Sequence, residues 1–220
     1  MPEPATSAET AQPREVARIE AFSDGVFAIA ITLLSLDLII PMHEDLAAAL
    51  GDLYPNFFAL GLSFVVIGSY WVFHHRLFSA VVRYDRRLVW MNLLVLFFIV
   101  VMPFSTNVIA DYGAEPLGVV VYTVNIVGAG LASCALTAYV FVGRRMCDAS
   151  VTDRRIRYAM ARGLVVPCYF AASLLLLLFS VPPNVVELSW LGIIVANAVV
   201  ERRFRDVTRG SRPATPSGSA

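Results

Sequence analysis

Six stretches of this 220-residue chain run for about twenty residues each with little or no charge, and they govern what it can fold into. They lie at Arg18–Ile40, Tyr54–His75, Leu88–Ala110, Leu117–Gly143, Tyr158–Ser180 and Val185–Val200, the last being the shortest and preceded by Pro182 and Pro183. A hydrocarbon layer of roughly 30 Å is crossed by about 20 helical residues rising 1.5 Å each, so the first five runs are long enough to span and the last holds barely enough residues. Inside that layer no water satisfies backbone N–H and C=O groups, which makes helix the natural conformation of each run. With 58% of residues hydrophobic and 15% charged, a soluble globule is excluded. The expected fold is all-α, a polytopic membrane protein with six transmembrane helices. Residues 18–203 would form the membrane domain, and the polar, Pro- and Ser-containing segments 1–17 and 204–220 would be mobile cytoplasmic tails. The first run follows a polar stretch with Pro2, Pro4 and Pro13 and has no small-residue cleavage pattern after it, so it is read as a retained helix.

Charge placement orients the spans. All seventeen basic residues are Arg, and they fall in the N-terminal segment, the 76–87 loop, the 144–162 loop and the C-terminal tail. The alternate loops contain no Arg or Lys and carry Glu44, Asp45, Asp52, Asp111, Glu115 and Glu187. Under the positive-inside rule both termini are cytoplasmic, which requires an even number of crossings and fits six. Cys134, Cys147 and Cys168 have no metal-ligand spacing and are expected to be buried packing residues. No glycine-rich phosphate loop, Cys-x-x-Cys, His-Glu-x-x-His or Gly-x-Ser-x-Gly is present, so enzymatic chemistry has no visible carrier, and neither cofactor, resident metal nor nucleic acid is expected.

The first run carries the most information because Asp24 lies well inside an apolar span, where an unpaired acid is costly. At about 100° per residue with Ile29 at zero, Leu33 falls near +40°, Leu36 near −20° and Thr32 near −60°. Asp24 falls near −140° and Ser23 near +120°, away from that stripe. The polar pair must meet groups of its own subunit, whereas the Ile29, Leu33, Leu36 stripe can face lipid, a neighbouring helix or a pore. Counting inward from the Arg-rich side puts Asp24, Asn92, His74, His75 and Trp71 within about two helical turns of one another in depth. Trp71 is three residues from His74 and four from His75, so its indole and at least one imidazole share a face. A buried hydrogen-bonded layer of Ser23, Asp24, Trp71, His74 or His75, and Asn92 is therefore expected to fix the packing of the first three long helices. A metal site or proton relay at Asp24 and the histidines is the sharper alternative, although adjacent histidines are poorly placed to aim at one ion. Asn125, Asn197 and Glu201 are read as structural, the amides bonding between helices and the acid ending one.

At these residues the chain resembles the prokaryotic branch of the transmembrane protein 175 family, the endosomal and lysosomal potassium channels. The resemblance is carried by Arg18-x-x-x-Phe22-Ser23-Asp24 with the following GVFAIAITLL and Asp37, by Trp71-x-x-His74-His75, and by Asn92-Leu-Leu-x-Leu-Phe97 with Pro103-Phe104. It covers about the first 110 residues, the second half agreeing only in span count and hydrophobicity. The resemblance implies a homotetramer of six-helix subunits in lipid, with the first helix of each lining a central pore through which potassium ions permeate passively. It maps an apolar constriction onto Ile29, Leu33 and Leu36, with Thr32 as the nearby hydroxyl, and leaves Ser23 and Asp24 on the supporting side. The constriction rings would lie about 6 Å and then 4.5 Å apart along the axis. The expected function is a potassium-preferring channel of the cell membrane. A proton-coupled transporter using Asp24 and His74 or His75, or a non-conducting membrane scaffold, stands as the alternative.

Overall fold

The structure, a computed structural model, describes residues 7–36, 38–40, 45–141, 146–147 and 151–203. Its described residues are almost entirely helical: α1 Ser7–Leu33, α2 Leu46–Asp52, α3 Tyr54–Phe78, α4 Arg86–Tyr112, α5 Pro116–Phe141, α6 Asp153–Leu178, α7 Pro183–Ser189, a 3-10 turn Trp190–Gly192 and α8 Ile193–Arg203. Four of these, Tyr54–Phe78, Arg86–Tyr112, Pro116–Phe141 and Asp153–Leu177, are long and apolar enough to cross a membrane by length and composition alone. Helix α1 carries Arg18, Glu20 and Asp24, and the last pass is assembled from α7, the 3-10 turn and α8 rather than from one rod. The chain is a multi-pass helical membrane protein.

Helices α4 and α6 begin before the apolar runs read from sequence, where caps open them. Asp85 accepts from the Leu88 N–H at 2.8 Å to open α4, and Thr152 Oγ1 accepts from the Arg155 N–H at 3.3 Å to open α6. Pro55 and Pro183 occupy first-turn positions of α3 and α7, where no backbone N–H is missed. Two differences concern α1. It reaches back to Ser7, so part of the segment read as a tail is helix, with Val16 buried against Leu77 and Phe78. It also ends at Leu33, after which tighter turns bond Ser35 N–H to the Thr32 carbonyl and Leu36 N–H to that of Leu33. The expected α-helical run to Ile40 is thus shortened, and residues 204–220 and Asp37 lie outside the described residues.

Packing is densest where α5 is clasped between α4 and α6. Lipid tails are as apolar as leucine, so this association depends on close fit and polar bonds rather than on a hydrophobic drive. Gly128 lies against the Phe98 ring of α4 and Gly130 against the Pro167 ring of α6. Buried hydroxyls of Ser63, Thr106 and Tyr122 tie α3, α4 and α5 together, and the Tyr70 hydroxyl donates to the Ile126 carbonyl at 2.7 Å. Asn125 donates across to Ser105 Oγ at 3.1 Å, in keeping with the interhelical bonding read for it, whereas the side chains of Asn197 and Glu201 lie outside the described residues. Cys134 and Cys147 are buried, but Cys168 is exposed, because it sits on the outward side of α6 next to the inward-turned Pro167.

Asp85 also accepts from the Tyr139 hydroxyl at 2.5 Å, linking the 76–87 loop to the end of α5. Desolvation pushes its carboxyl up, but the Tyr139 hydroxyl, the Leu88 and Arg87 N–H groups and the Arg87 charge outweigh it and hold the carboxyl below its usual range. A lowered folded-state pKa gives stability that is full above the unfolded value of about 3.9 and is lost as pH falls through the folded value. Asp85→Ala should therefore lose about 1 kcal/mol at neutral pH, the usual worth of such a cap, and should remove this contribution to acid sensitivity. Thermal unfolding of wild type and variant between pH 7 and pH 3 checks both points.

Candidate functional site

Helix α1 has two unlike faces. Ser23, Phe27, Ala30 and Leu34, spaced four, three and four, are buried, with Ser23 at 0% exposure and Phe27 at 1%. Opposite them Phe22, Ile29, Leu33 and Leu36 stay open, at 58%, 61%, 38% and 65% exposure. Ile31 lies on the inner side and packs partly against the core. The apolar stripe expected from angles is thus the face of α1 that stays open among the described residues. Leu36 belongs to the turn beyond the helix, so the 4.5 Å axial step expected between Leu33 and Leu36, which assumed α-helical rise, does not apply.

The inner face is pinned by a directional chain of hydrogen bonds. His74 Nε2 lies 2.8 Å from Asn92 Oδ1; because an amide oxygen only accepts, the imidazole proton sits on Nε2. Asn92 Nδ2 then donates to Ser23 Oγ at 2.9 Å, and Ser23 Oγ donates to the Ile19 carbonyl at 2.8 Å. One amide therefore joins α3, α4 and α1. Asn92, His74 and Ser23 are buried, and His74 is wedged between Phe78, ring centroids 4.4 Å apart, and Phe27 at 5.4 Å. Its Nδ1 has no partner among the described residues, which follows from an aromatic slot that leaves only one nitrogen a polar neighbour.

A second, wetter tier lies beside it. Trp71 Nε1 donates to Asp24 Oδ1 at 2.9 Å, and the Trp71 ring stacks on His75 with centroids 5.8 Å apart. His75 in turn reaches Glu20 Oε1 at 3.0 Å. The structure brings together Ser23, Asp24, Trp71, His74 and Asn92, and separates the histidines: His74 points into the buried tier and bonds neither Ser23 nor Asp24 directly, while His75 turns to the α1 surface. Arg18 is exposed and pairs with Glu15 at 2.8 Å, one turn away on its own helix. Sequence reasoning missed Glu20, although it stands one turn before Asp24 and at the depth of His75, and it missed that Phe22 extends the open stripe. Among the described residues no group of three His, Cys, Asp or Glu side chains is placed to hold a metal ion.

Together the fold and this layer define a multi-pass helical membrane protein whose first long helix is anchored by polar bonds on one side and presents an uncovered apolar stripe on the other. Comparison with known proteins bears on the family and the fold. A family profile described as the endosomal/lysosomal potassium channel TMEM175 matches residues 18–103. A potassium channel of Streptomyces collinus is 42% identical over 159 residues, 66% of this chain and 77% of that relative. The endosomal/lysosomal proton channel TMEM175 of Gallus gallus is 36% identical over 115 residues, which is 47% of this chain but 23% of that longer protein. The crystal structure of a lysosomal potassium-selective channel TMEM175 homologue from Chamaesiphon minutus superimposes with a TM-score of 0.68 at 28% identity, covering 90% of this chain and all of the other. The chain belongs to the TMEM175 family.

Proposed function

We infer that this chain is one subunit of a potassium-preferring channel, and not an enzyme. The observation that carries the reading is the back-to-back construction of α1: Ser23 and Asp24 bonded inward, and Ile29, Leu33 and Leu36 left open on the opposite side. The naming of the Streptomyces relative as a potassium channel supports it. Four copies placed around an axis would turn the four stripes toward one another and cover apolar surface that a lone subunit leaves bare. The resulting apolar rings close by dewetting, and a small rotation or widening rehydrates them. The Thr32 hydroxyl donates to the Ile29 carbonyl at 2.8 Å, which commits its proton and leaves oxygen lone pairs free on the exposed side as weak ligands for a partly dehydrated cation. Potassium sheds water more readily than sodium, so a dry path with few replacement ligands disfavours sodium more. The reading places the channel in the cell membrane with both termini cytoplasmic, following the arginine asymmetry.

Reconstitution into planar bilayers tests it. Unitary currents reversing near the potassium equilibrium potential are expected, with Leu33→Ala raising conductance and lowering discrimination against sodium severalfold, because a smaller ring wets more easily. Ile31→Ala, on the inner side of the same helix, should leave ion preference unchanged. The reverse pattern would mean that a different face of α1 lines the path. Proton permeation is the second reading, favoured by the name of the vertebrate relatives, and currents reversing near the proton equilibrium potential would select it.

A further inference from the structure

Where α3 ends and α6 begins, the Arg76 guanidinium of α3 donates to the Tyr158 hydroxyl of α6 at 3.2 Å. About one turn deeper the same two helices close on each other, since a Cβ built on Gly163 would stand 3.0 Å from the Phe73 ring. Arg154 and Arg162 lie one turn to either side of Tyr158 on the same stripe of α6. Three guanidinium groups from two helices therefore gather around one buried phenol, with Arg76 and Arg154 exposed and Arg162 half-buried. Arg76 meets a neutral hydroxyl that takes one of its five N–H donors, and among the described residues neither Arg76 nor Arg157 pairs with a carboxylate. Helix α6 opens Asp153-Arg154-Arg155-Ile156-Arg157, three cations to one acid at the end where the helix dipole is itself positive. Cations crowded against one another and against a dipole cost free energy unless an anion sits among them. The arginine-rich loops mark one surface of the bilayer, where the phosphates of anionic lipids are the anions at hand, and basic recesses between membrane helices hold such headgroups. A guanidinium matches a phosphate with two parallel N–H···O bonds. Deeper along the two helices Phe73 and Val165 are half-buried, so an acyl chain finds apolar surface directly beneath the charge.

We propose that this junction of α3 and α6 binds the phosphate of an anionic phospholipid from the arginine-rich leaflet, Arg76, Arg154 and Arg162 surrounding the phosphate and an acyl chain lying against Phe73 and Val165. The site uses no residue of α1 and does not depend on the channel reading. The test titrates the delipidated whole chain in detergent with phosphatidylglycerol, and separately with phosphatidylcholine of the same acyl chains, and counts retained lipid by native mass spectrometry. Saturable retention of phosphatidylglycerol is expected, at concentrations well below those at which phosphatidylcholine is retained. Arg76→Gln, which keeps an N–H donor for Tyr158 but removes the charge, should raise half-saturation by phosphatidylglycerol about fivefold, the worth of one arginine at an anionic surface, and leave phosphatidylcholine unmoved. Arg154→Gln, at an exposed position, should act alike and serves if the Arg76 variant folds poorly. Arg86→Gln is the control: it removes the same charge from the exposed first residue of α4, which α5 separates from α6, and should shift half-saturation less than twofold. Equal retention of the two lipids, or equal shifts for the Arg76 and Arg86 variants, would overturn the proposal and leave only diffuse surface charge. Displacement of phosphatidylglycerol by millimolar inorganic phosphate would also overturn it, assigning the arginines to a soluble anion. Because the readout involves no ion flow, a failed channel assay leaves it untouched.

Discussion

Gly130→Leu should abolish accumulation of folded protein. A Cβ at this position would stand 2.5 Å from Pro167 Cβ and 2.6 Å from its Cγ, far inside van der Waals contact. The obstacle is a closed ring on the facing helix, so no rotamer change relieves it, and α5 and α6 must separate. That separation also strips contacts from Tyr122, Phe170 and Trp190, the fully buried aromatic cluster nearby. Adding even one or two methylenes to a packed core costs typically 1–3 kcal/mol, and an isobutyl group on a bare glycine is a larger insertion than that. The total stability of a domain is only about 5–15 kcal/mol. The measurement is the yield of monodisperse protein on size exclusion after detergent extraction. Gly51→Ala is the control: nothing lies within 4 Å of a Cβ built there, so it should be neutral or slightly stabilising. Normal yield of the Gly130 variant would mean that α5 and α6 do not approach as described.

Asn92→Leu is expected to have the next largest effect, because this one amide is the centre of the polar tier. Its removal leaves the His74 Nε2 donor and the Ser23 oxygen without their partners, both in buried surroundings. Interhelical bonds in membranes are worth about 1–2 kcal/mol each at most, so losing two predicts roughly 2–4 kcal/mol. Ser23→Ala removes only one of them and should cost about half as much. Thermal unfolding in detergent ranks the two variants. Ion preference is expected to survive in whatever Asn92→Leu channels assemble, since the amide lies on the side of α1 away from the open stripe. Assembly at wild-type level with altered selectivity would instead put Asn92 in the ion path.

Much of this arrangement was legible before any coordinates. Depth is readable because rise per residue is fixed and the arginine-rich loops mark one face of the membrane, so Trp71, Asn92 and Asp24 could be set in one layer by counting. Angle along a single helix is readable too, which is why Ile29 and Leu33 came out opposite Ser23. The choice between His74 and His75 was not legible, since adjacent residues differ by about 100° and either can be turned inward. Packing made it: Phe27 and Phe78 close around His74, and Glu20 draws His75 to the surface. The end of α1 at Leu33 was equally hidden, because Leu34, Ser35 and Leu36 carry no stop signal and their tighter turns show only in the backbone bonds.

What the amino-acid sequence determined by itself was the membrane environment, the alternation of the loops and the layer at which each polar residue sits. These follow from quantities that accumulate along one chain: apolar length, charge and rise. Only the tertiary structure decided how each helix is rotated, which glycine meets which ring and which hydroxyl meets Arg76. Lipid treats every apolar face of a helix alike, so rotation is fixed solely by what the neighbouring helices offer in close fit and hydrogen bonds.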